Sequence, residues 1–340
     1  MSDTTHNKQA KPNRNTSIDV ARLAGVSQAT VSRAFNPSSK MNPATRQKVL
    51  DAAMELKYAP DAIARSLISN STNIIAVIMQ NTTNPFYAKV LTKLSIQLRK
   101  FGKQILYFYL DNPDNLQQMI NQVLQYRVDG ILITSVNLSS TIADTCFNFG
   151  VPVVLFNRQL NTPNIQAVCC DNVQAGRDCA DYFVMKGHHR FAFIGGFDTA
   201  STTLNRKEGF LSRLNERGIS DVKIYHSDYT YEAGADAFRR LMKEQQLPPD
   251  AIFCISDLVC AGVIDCARNE YNLSIPDDVA IIGFDDIDLA SYLSYNITSF
   301  SQPMDEMISY TCELLLNPEK YSQESNLALF PCTLITRTTA

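Results

Sequence analysis

A chain of 340 residues exceeds what one ordinary hydrophobic core organises and implies two or three domains. Its hydrophobic content of 45% fits a globular protein, and its longest apolar runs, such as Ile74 to Met79, fall far short of a bilayer-spanning helix, so no membrane-spanning helix is expected. The net charge of −3 conceals an asymmetry, because residues 1–70 carry ten Lys and Arg against five Asp and Glu, net +5, which leaves −8 for the remainder. A basic head on an acidic body is the distribution expected of a phosphate-binding module joined to a domain that does not bind nucleic acid.

The first 15 residues contain almost no apolar side chains and are expected to be a disordered tail; they lack the apolar stretch of a secretory signal, so a cytosolic protein is expected. From Ser17 the pattern changes. Ile18, Ala21, Leu23 and Ala24 suit a short helix, Gly25 stands where a tight turn needs positive φ, and Ser27 caps a second helix through Arg33. Val31 and Ala34 point back to the first helix, which leaves Gln28, Ala29, Thr30, Ser32 and Arg33 outward. Two such helices over residues 17–36 form a helix-turn-helix, and short polar side chains with an Arg at the start of its second helix fit a major groove. A third helix runs from Asn42 as N-cap and Pro43 to about Lys57, with Val49, Leu50, Ala53 and Leu56 on its apolar face and Thr45, Arg46 and Lys48 toward the phosphates. A small helical domain that packs without binding DNA is the alternative, but it leaves the short, polar, basic outer face unexplained.

From Asn73 onward β-branched runs alternate with helical patterns. The expected strands are Ile74 to Met79, Gln104 to Tyr109, Gly130 to Thr134, Val151 to Phe156, Phe191 to Gly195, Val222 to His226, Ala251 to Ser256 and Val279 to Phe284. Helical segments such as Phe86 to Phe101 and Leu204 to Arg217 lie between them. Repeated βαβ units predict an α/β fold of two doubly wound parallel lobes with a ligand at the carboxyl ends of the strands. No G-x-G-x-x-G follows the first strand, and neither a Walker A sequence nor a G-x-S-x-G elbow occurs, so no enzyme is expected. The nine cysteines (146, 169, 170, 179, 254, 260, 266, 312 and 332) form no C-x-x-C pair and no zinc spacing; they read as reduced core thiols, with no disulfide, metal or cofactor. The Cys169-Cys170 pair reads as buried strand.

The stretch DVARLAGVSQATVSRAFN, followed by TRQKVLDAAMELKYAPDAIARSL, resembles the LacI/GalR family of bacterial transcription regulators. The resemblance continues through NTTNPFYAKVLTKL, VPVVLFNRQL, DNVQAG, KGHHRFAFIGG, NRKEGF, SDLVCAG, PDDVAIIGFDD and LITRTT. It implies a helix-turn-helix domain over 16–60, a hinge helix and linker over 61–72, and an effector domain over 73–340 of the periplasmic sugar-binding type. The near lobe would comprise 73–172 and 302–330, and the far lobe 173–301. The hinge helix, Asp61 to Ser69, would order on operator DNA and insert Leu67 as a wedge in the minor groove. The DNA-facing set is then Ser27, Gln28, Ala29, Thr30, Ser32, Arg33, Asn36 and Asn42 in the head, with Ala64 and Leu67 in the hinge. Gln28 and Ala29 would be the main base readers.

In the effector domain the resemblance implies contacts from Phe86, Tyr87, Asn157, Arg158, Arg206, Tyr229, Asp257 and Asp285, most of which follow predicted strands. Carboxylates and guanidinium groups pair with vicinal hydroxyls, and aromatic rings pack against a pyranose, so the set suits a carbohydrate. Each residue has a competing role: Asp257 as a helix cap, Arg158 as partner of a carboxylate across the lobes. Asn157 stands where many relatives have Asp. The reading is a homodimer on pseudo-palindromic double-stranded operator DNA, with Phe86 to Leu98 and Ala261 to Cys266 as interface helices and no leucine heptads after LITRTT. It acts as a repressor of carbohydrate-utilisation genes under allosteric control by a sugar or sugar derivative. A purine-like corepressor or an activator role on the same architecture, and a ligand-binding protein or enzyme without DNA activity, are the alternatives.

Overall fold

The computed structural model describes residues 15–36, 39–60, 71–80, 84–135, 140–160, 165–245, 247–321 and 326–340. The chain divides into two units, Met1–Thr72 and Asn73–Ala340. Most of the expected tail, and the hinge segment with Ala64 and Leu67, lie outside the described residues.

The first unit holds three helices: α1 (Ser17–Ala24), α2 (Gln28–Ala34) and α3 (Pro43–Glu55). Thr16 caps α1 through a reciprocal box with Asp19, whose carboxylate accepts from the Thr16 backbone N–H at 2.9 Å. Gly25 ends α1 with φ of 60°, the left-handed turn expected of it. Ser27 Oγ accepts from the Thr30 N–H at 3.2 Å and starts α2, and Asn42 Oδ1 accepts from the Ala44 N–H at 2.9 Å at the head of α3. The core consists of Val20, Ala21, Ala24, Val31, Ala34, Val49, Ala52 and Ala53. Here the apolar faces differ from expectation. Ile18 and Leu23 are exposed and Val20 fills the core of α1, because residues 17, 20, 21 and 24 share the inward face of a helix that begins at Ser17. In α3, Ala52 is buried in place of Leu50, whose side chain is half-buried.

The second unit contains two six-stranded sheets. The first has the order β11-β5-β4-β3-β1-β2, formed by β1 (Ile74–Met79), β2 (Gln104–Tyr109), β3 (Gly130–Thr134), β4 (Val153–Phe156), β5 (Gln166–Cys170) and β11 (Leu327–Phe330). The second has the order β12-β10-β9-β8-β6-β7, formed by β6 (Phe191–Gly195), β7 (Val222–His226), β8 (Ala251–Cys254), β9 (Ala280–Asp285), β10 (Thr298–Ser301) and β12 (Thr333–Ile335). Every pairing is parallel except β10 with β12. The chain therefore crosses between sheets three times: after β5, after β10, and between β11 and β12. Both faces of the first sheet are covered: Ile75, Val77 and Met79 pack into one apolar cluster while Ala76 and Ile78 pack into another. That double burial is why β1 reads as an unbroken apolar run.

Helices cover the sheets: α4 (Pro85–Lys100), α5 (Leu116–Gln125), α6 (Ser140–Asn148), α7 (Asn172–Met185), α8 (Ser201–Glu216), α9 (Tyr231–Glu244), α10 (Asp257–Glu270) and α11 (Met304–Leu316). Ala261 to Cys266 lies inside α10 and is buried against α9, where a Cβ on Gly262 would strike the Tyr231 carbonyl. This segment presents no exposed face to a second subunit, which corrects the expectation that it forms an interface; on α4, in contrast, Ile96 is 54% exposed.

α7 and α8 meet backbone to backbone. A Cβ on Gly209 would run into the Val173 carbonyl, and one on Gly176 into the Arg206 carbonyl. Because neither carbonyl is a movable side-chain end, Gly209→Ala is expected to force the helices apart at a cost of about 1–3 kcal/mol or more. Thermal unfolding checks it: the melting temperature is expected to drop by several degrees, and an unchanged value would show that the helices have room to part. That close approach also fixes the position of Arg206.

Candidate functional site

On α2, Gln28, Ala29, Ser32 and Arg33 are exposed and Thr30 is half-buried. The Gln28 amide donates to Ser17 Oγ at 2.9 Å, and Arg33 reaches Thr30 Oγ1 at 3.4 Å. Ser27 and Asn42 spend a side-chain oxygen each on helix capping. Asn36 is exposed, and its carbonyl accepts from Arg46 at 3.1 Å. Arg46 also donates to the Ser39 carbonyl at 2.7 Å and so ties the segment after α2 to α3. It is thereby a structural cation first.

In the second unit a cavity of about 520 Å³ lies at the carboxyl ends of strands from both sheets, where ligands of open α/β sheets bind. Gln80, Asp111, Ser135, Asn157 and Arg158 come from the first sheet's loops; Phe197, Asp228 and Tyr229 come from the second's, and Asp285 ends β9. Four of the lining residues hold positive φ without being glycine: Ser135 at 59°, Asn157 at 56°, Tyr229 at 68° and Asp285 at 103°. Strained backbone of this kind persists where the fold requires it and gathers at functional sites.

Arg206, on the first turns of α8, is 2% exposed. Its Nε donates to Asn172 Oδ1 at 2.7 Å, one terminal nitrogen donates to the Ile255 carbonyl at 2.6 Å, and the other lies 3.9 Å from Asp285 Oδ1. The guanidinium carbon sits 3.3 Å from the centre of the Phe284 ring, a cation–π contact beneath the cavity. Asp285 also accepts from Asn84 Nδ2 at 3.2 Å and Gln302 Nε2 at 2.8 Å. Burial raises its carboxyl above the ordinary range, and Arg206 opposes that rise. Arg158 is 7% exposed, and one terminal nitrogen donates to the Asn157 carbonyl at 2.8 Å and to Thr202 Oγ1 at 3.1 Å. The Tyr229 hydroxyl pairs with Thr203 Oγ1 at 2.6 Å, and its ring lies 5.7 Å from that of Phe197. Tyr87 lines the same wall, its phenol pushed above the usual range by burial.

The cavity thus gathers Tyr87, Asn157, Arg158, Arg206, Tyr229 and Asp285. Two residues expected beside them are elsewhere. Phe86 is 1% exposed and packs into the core edge-on to Tyr87, because the first turn of α4 sends adjacent side chains in different directions. Asp257 is fully buried away from the lining, where Oδ1 accepts from the Ser299 hydroxyl at 2.6 Å and Oδ2 from the Ile287 N–H at 2.9 Å. Nor does Asp257 cap α10, since Ser256 Oγ accepts from the Val259 N–H. Arg158 finds no carboxylate at ion-pair distance among the described residues, so its expected partner across the lobes is replaced by the Thr202 hydroxyl. Asn84, Gln80, Ser135 and Thr202 were not foreseen. The Asn-Pro at 84–85 marks a helix start in the sequence, and Asn84 Oδ1 does accept from the Phe86 N–H at 2.9 Å, but its reach to Asp285 spans 201 positions.

Two family profiles match the chain. The one described as bacterial regulatory proteins, lacI family, covers residues 18–61, and the one described as periplasmic binding proteins and sugar binding domain of LacI family covers residues 72–311. The chain belongs to the LacI family. Catabolite control protein A of Priestia megaterium is 33% identical over 93% of this chain and 96% of its own length. The ribose operon repressor of Escherichia coli (strain K12) is 31% identical over 92% and 96%. Among solved structures, a transcriptional regulator CelR–cellobiose complex superposes with a TM-score of 0.73 at 27% identity, covering 96% of this chain and all of that one. Like its LacI-family relatives, the chain is a DNA-binding transcriptional repressor with a sugar-binding type of effector domain, and it is not an enzyme. No helix among the described residues is long and apolar enough to cross a membrane.

Proposed function

We propose that the protein is a cytoplasmic homodimer that represses carbohydrate-utilisation genes and releases or tightens its operator when a carbohydrate fills the cavity. The observation that carries this reading is the combination of Asp285 with two buried guanidinium groups, Arg158 and Arg206, beside the rings of Tyr87, Tyr229 and Phe197. Carboxylate and guanidinium groups bind paired hydroxyls, and the rings cover an apolar sugar face. In the proposed division the head is 16–60, the hinge 61–72, the near lobe 73–172 with 302–330, and the far lobe 173–301. The strand at Thr333–Ile335 belongs with the far sheet.

Two heads on one dimer read two half-sites of a pseudo-palindrome. Gln28 and Ala29 face base edges, Thr30, Ser32 and Arg33 hold bases or phosphates, Ser27, Asn36 and Asn42 complete the DNA-facing set, and Leu67 with Ala64 acts at the operator centre. The exposed side of α4 carrying Ile96 supplies the near-lobe contact between subunits. A ligand changes operator affinity by the difference in its own affinity for the two arrangements of the lobes.

A gel-shift titration on the full chain tests the DNA half. A specific complex that weakens steeply with salt is expected, and its absence at every salt concentration would sink the reading. Gln28→Ala is expected to cost about 1–3 kcal/mol on the preferred operator and relax one base position, whereas Arg33→Ala weakens all sequences and lowers the salt slope by about 1. If Gln28→Ala weakens all sequences uniformly, it reads no base. For the effector half, a thermal-shift screen of sugars, sugar phosphates and purines is decisive, because a ligand of the native state raises its stability by mass action. A purine response without a sugar response would replace the carbohydrate.

A further inference from the structure

The cavity is one negative charge short. Arg158 and Arg206 are both almost fully buried, and Asp285 is the one buried carboxylate in the lining. Asp285 stands 3.9 Å from Arg206, while no carboxylate among the described residues reaches ion-pair distance of Arg158. The hydrogen-bond acceptors of Arg158 are uncharged: the Asn157 carbonyl, the Thr202 hydroxyl and the Tyr87 phenol. The two other acids of the lining, Asp111 and Asp228, are exposed, and Asp228 turns one oxygen to the Thr230 N–H at 3.0 Å. Asp285 also feels the charge of Arg158 and is thus shared by two buried guanidinium groups, and a second buried counter-charge would offset desolvation cost that one carboxylate leaves.

A second observation points the same way to a ligand. Asn157 is 4% exposed, yet its Oδ1 has no hydrogen-bond partner, and Gln302 Oε1, on the side chain that donates to Asp285, has none either. Asn157 lines the cavity, so its oxygen is an acceptor within a ligand's reach that a sugar hydroxyl would satisfy.

Resting on the proposed carbohydrate reading, we propose that the effector is an anionic carbohydrate, a sugar phosphate or sugar acid, whose negative group seats against Arg158 while its hydroxyls serve Asn157 and Asp285. The phosphate monoester binds as a non-covalent anion and no bond is made or broken.

The test uses the full-length dimer and four probes at equal ionic strength: inorganic phosphate, glucose 6-phosphate, glucuronate and glucose, read by thermal shift against chloride. Inorganic phosphate and at least one anionic sugar are expected to raise the melting temperature, with binding at least tenfold tighter than glucose. Arg158→Gln is expected to abolish that preference, and Arg158→Lys to retain part of it. A phosphate-ester response without a glucuronate response assigns the phosphate, and the reverse assigns the carboxylate. If glucose binds as tightly as both anions, the anionic effector is overturned and the carbohydrate reading stands. If no anion shifts the melting temperature, the inference falls; adenine as a fifth probe separates the two readings, since a response to it alone overturns the carbohydrate as well. One arm needs no ligand: Arg158→Met, which removes an unpaired buried cation, is expected to melt at or above the wild-type temperature. A loss of several degrees would mean that the fold already neutralises that charge.

Discussion

Replacing Arg206 with Lys is expected to leave a folded dimer that binds its operator but no longer responds to effector. Arg206 spreads its donors over Asn172, the Ile255 carbonyl and Asp285, with its flat face on Phe284. Lysine keeps the charge but has a single nitrogen in place of the planar fork, so at most part of this set survives. Each lost bond from this buried cation is worth about 1.5–3 kcal/mol of the fold, and a donor toward the effector that lysine cannot replace is expected to lower effector affinity by about tenfold for every 1.4 kcal/mol lost. Arg206→Met goes further, since it also leaves Asp285 without its near cation, and breaking a buried pair from one side costs about 3–5 kcal/mol of stability. Isothermal titration with effector and a gel shift with operator separate the two effects. The lysine variant fails the first and passes the second. If it binds effector with unchanged affinity, Arg206 is a strut between α7 and α8 and the ligand lies elsewhere.

The sequence makes the scaffold legible for a physical reason. A strand buried on both faces must be almost continuously apolar, and β1, β3, β4, β6, β8 and β9 are; a helix-turn-helix needs a left-handed turn, and Gly25 supplies it at φ 60°. Edge strands are different. β11 and β12 at the sheet margins carry half-buried or exposed side chains, and β10 with its Thr298 and Ser299 lacks an apolar run, so none of the three stood out. Cavity residues that follow a strong strand directly, such as Asn157, Arg158 and Asp285, were legible because strand ends and polar side chains coincide. Asn84 and Thr202 were not, since what makes them part of the site is their distance to Asp285 and Arg158, set by the packing of separate chain segments. Asp257 shows the same limit from the other side. An acid after a strand is a good site signal, yet here the carboxylate turns back under β9 and β10.

Asp257 is therefore expected to matter for folding, and the sign of its pH dependence exposes how. Its carboxylate bridges the Ile287 N–H and the Ser299 hydroxyl in a fully buried pocket, and a Cβ on Gly283 would collide with its Oδ1, so the space is built around it. Asp257→Ala leaves both donors unsatisfied, which costs about 1–3 kcal/mol each, a drop in melting temperature on the order of 10 °C. Asp257→Asn behaves otherwise. Burial, and next the charge of Asp285, hold the Asp257 carboxyl well above its usual value of 3.8, so the folded state favours the protonated form. Wild-type stability then falls as pH rises from the unfolded carboxylate value toward the folded one, because folding must hold a proton that solvent would release. The amide is neutral throughout, still accepts from Ile287 and donates to Ser299, and escapes that loss. The difference in melting temperature between Asp257→Asn and wild type is accordingly expected to move in favour of the variant between pH 4 and pH 7. A difference that stays flat, or that grows in favour of wild type, would mean that Asp257 folds as a stabilised carboxylate, and its two hydrogen bonds would then outweigh its burial.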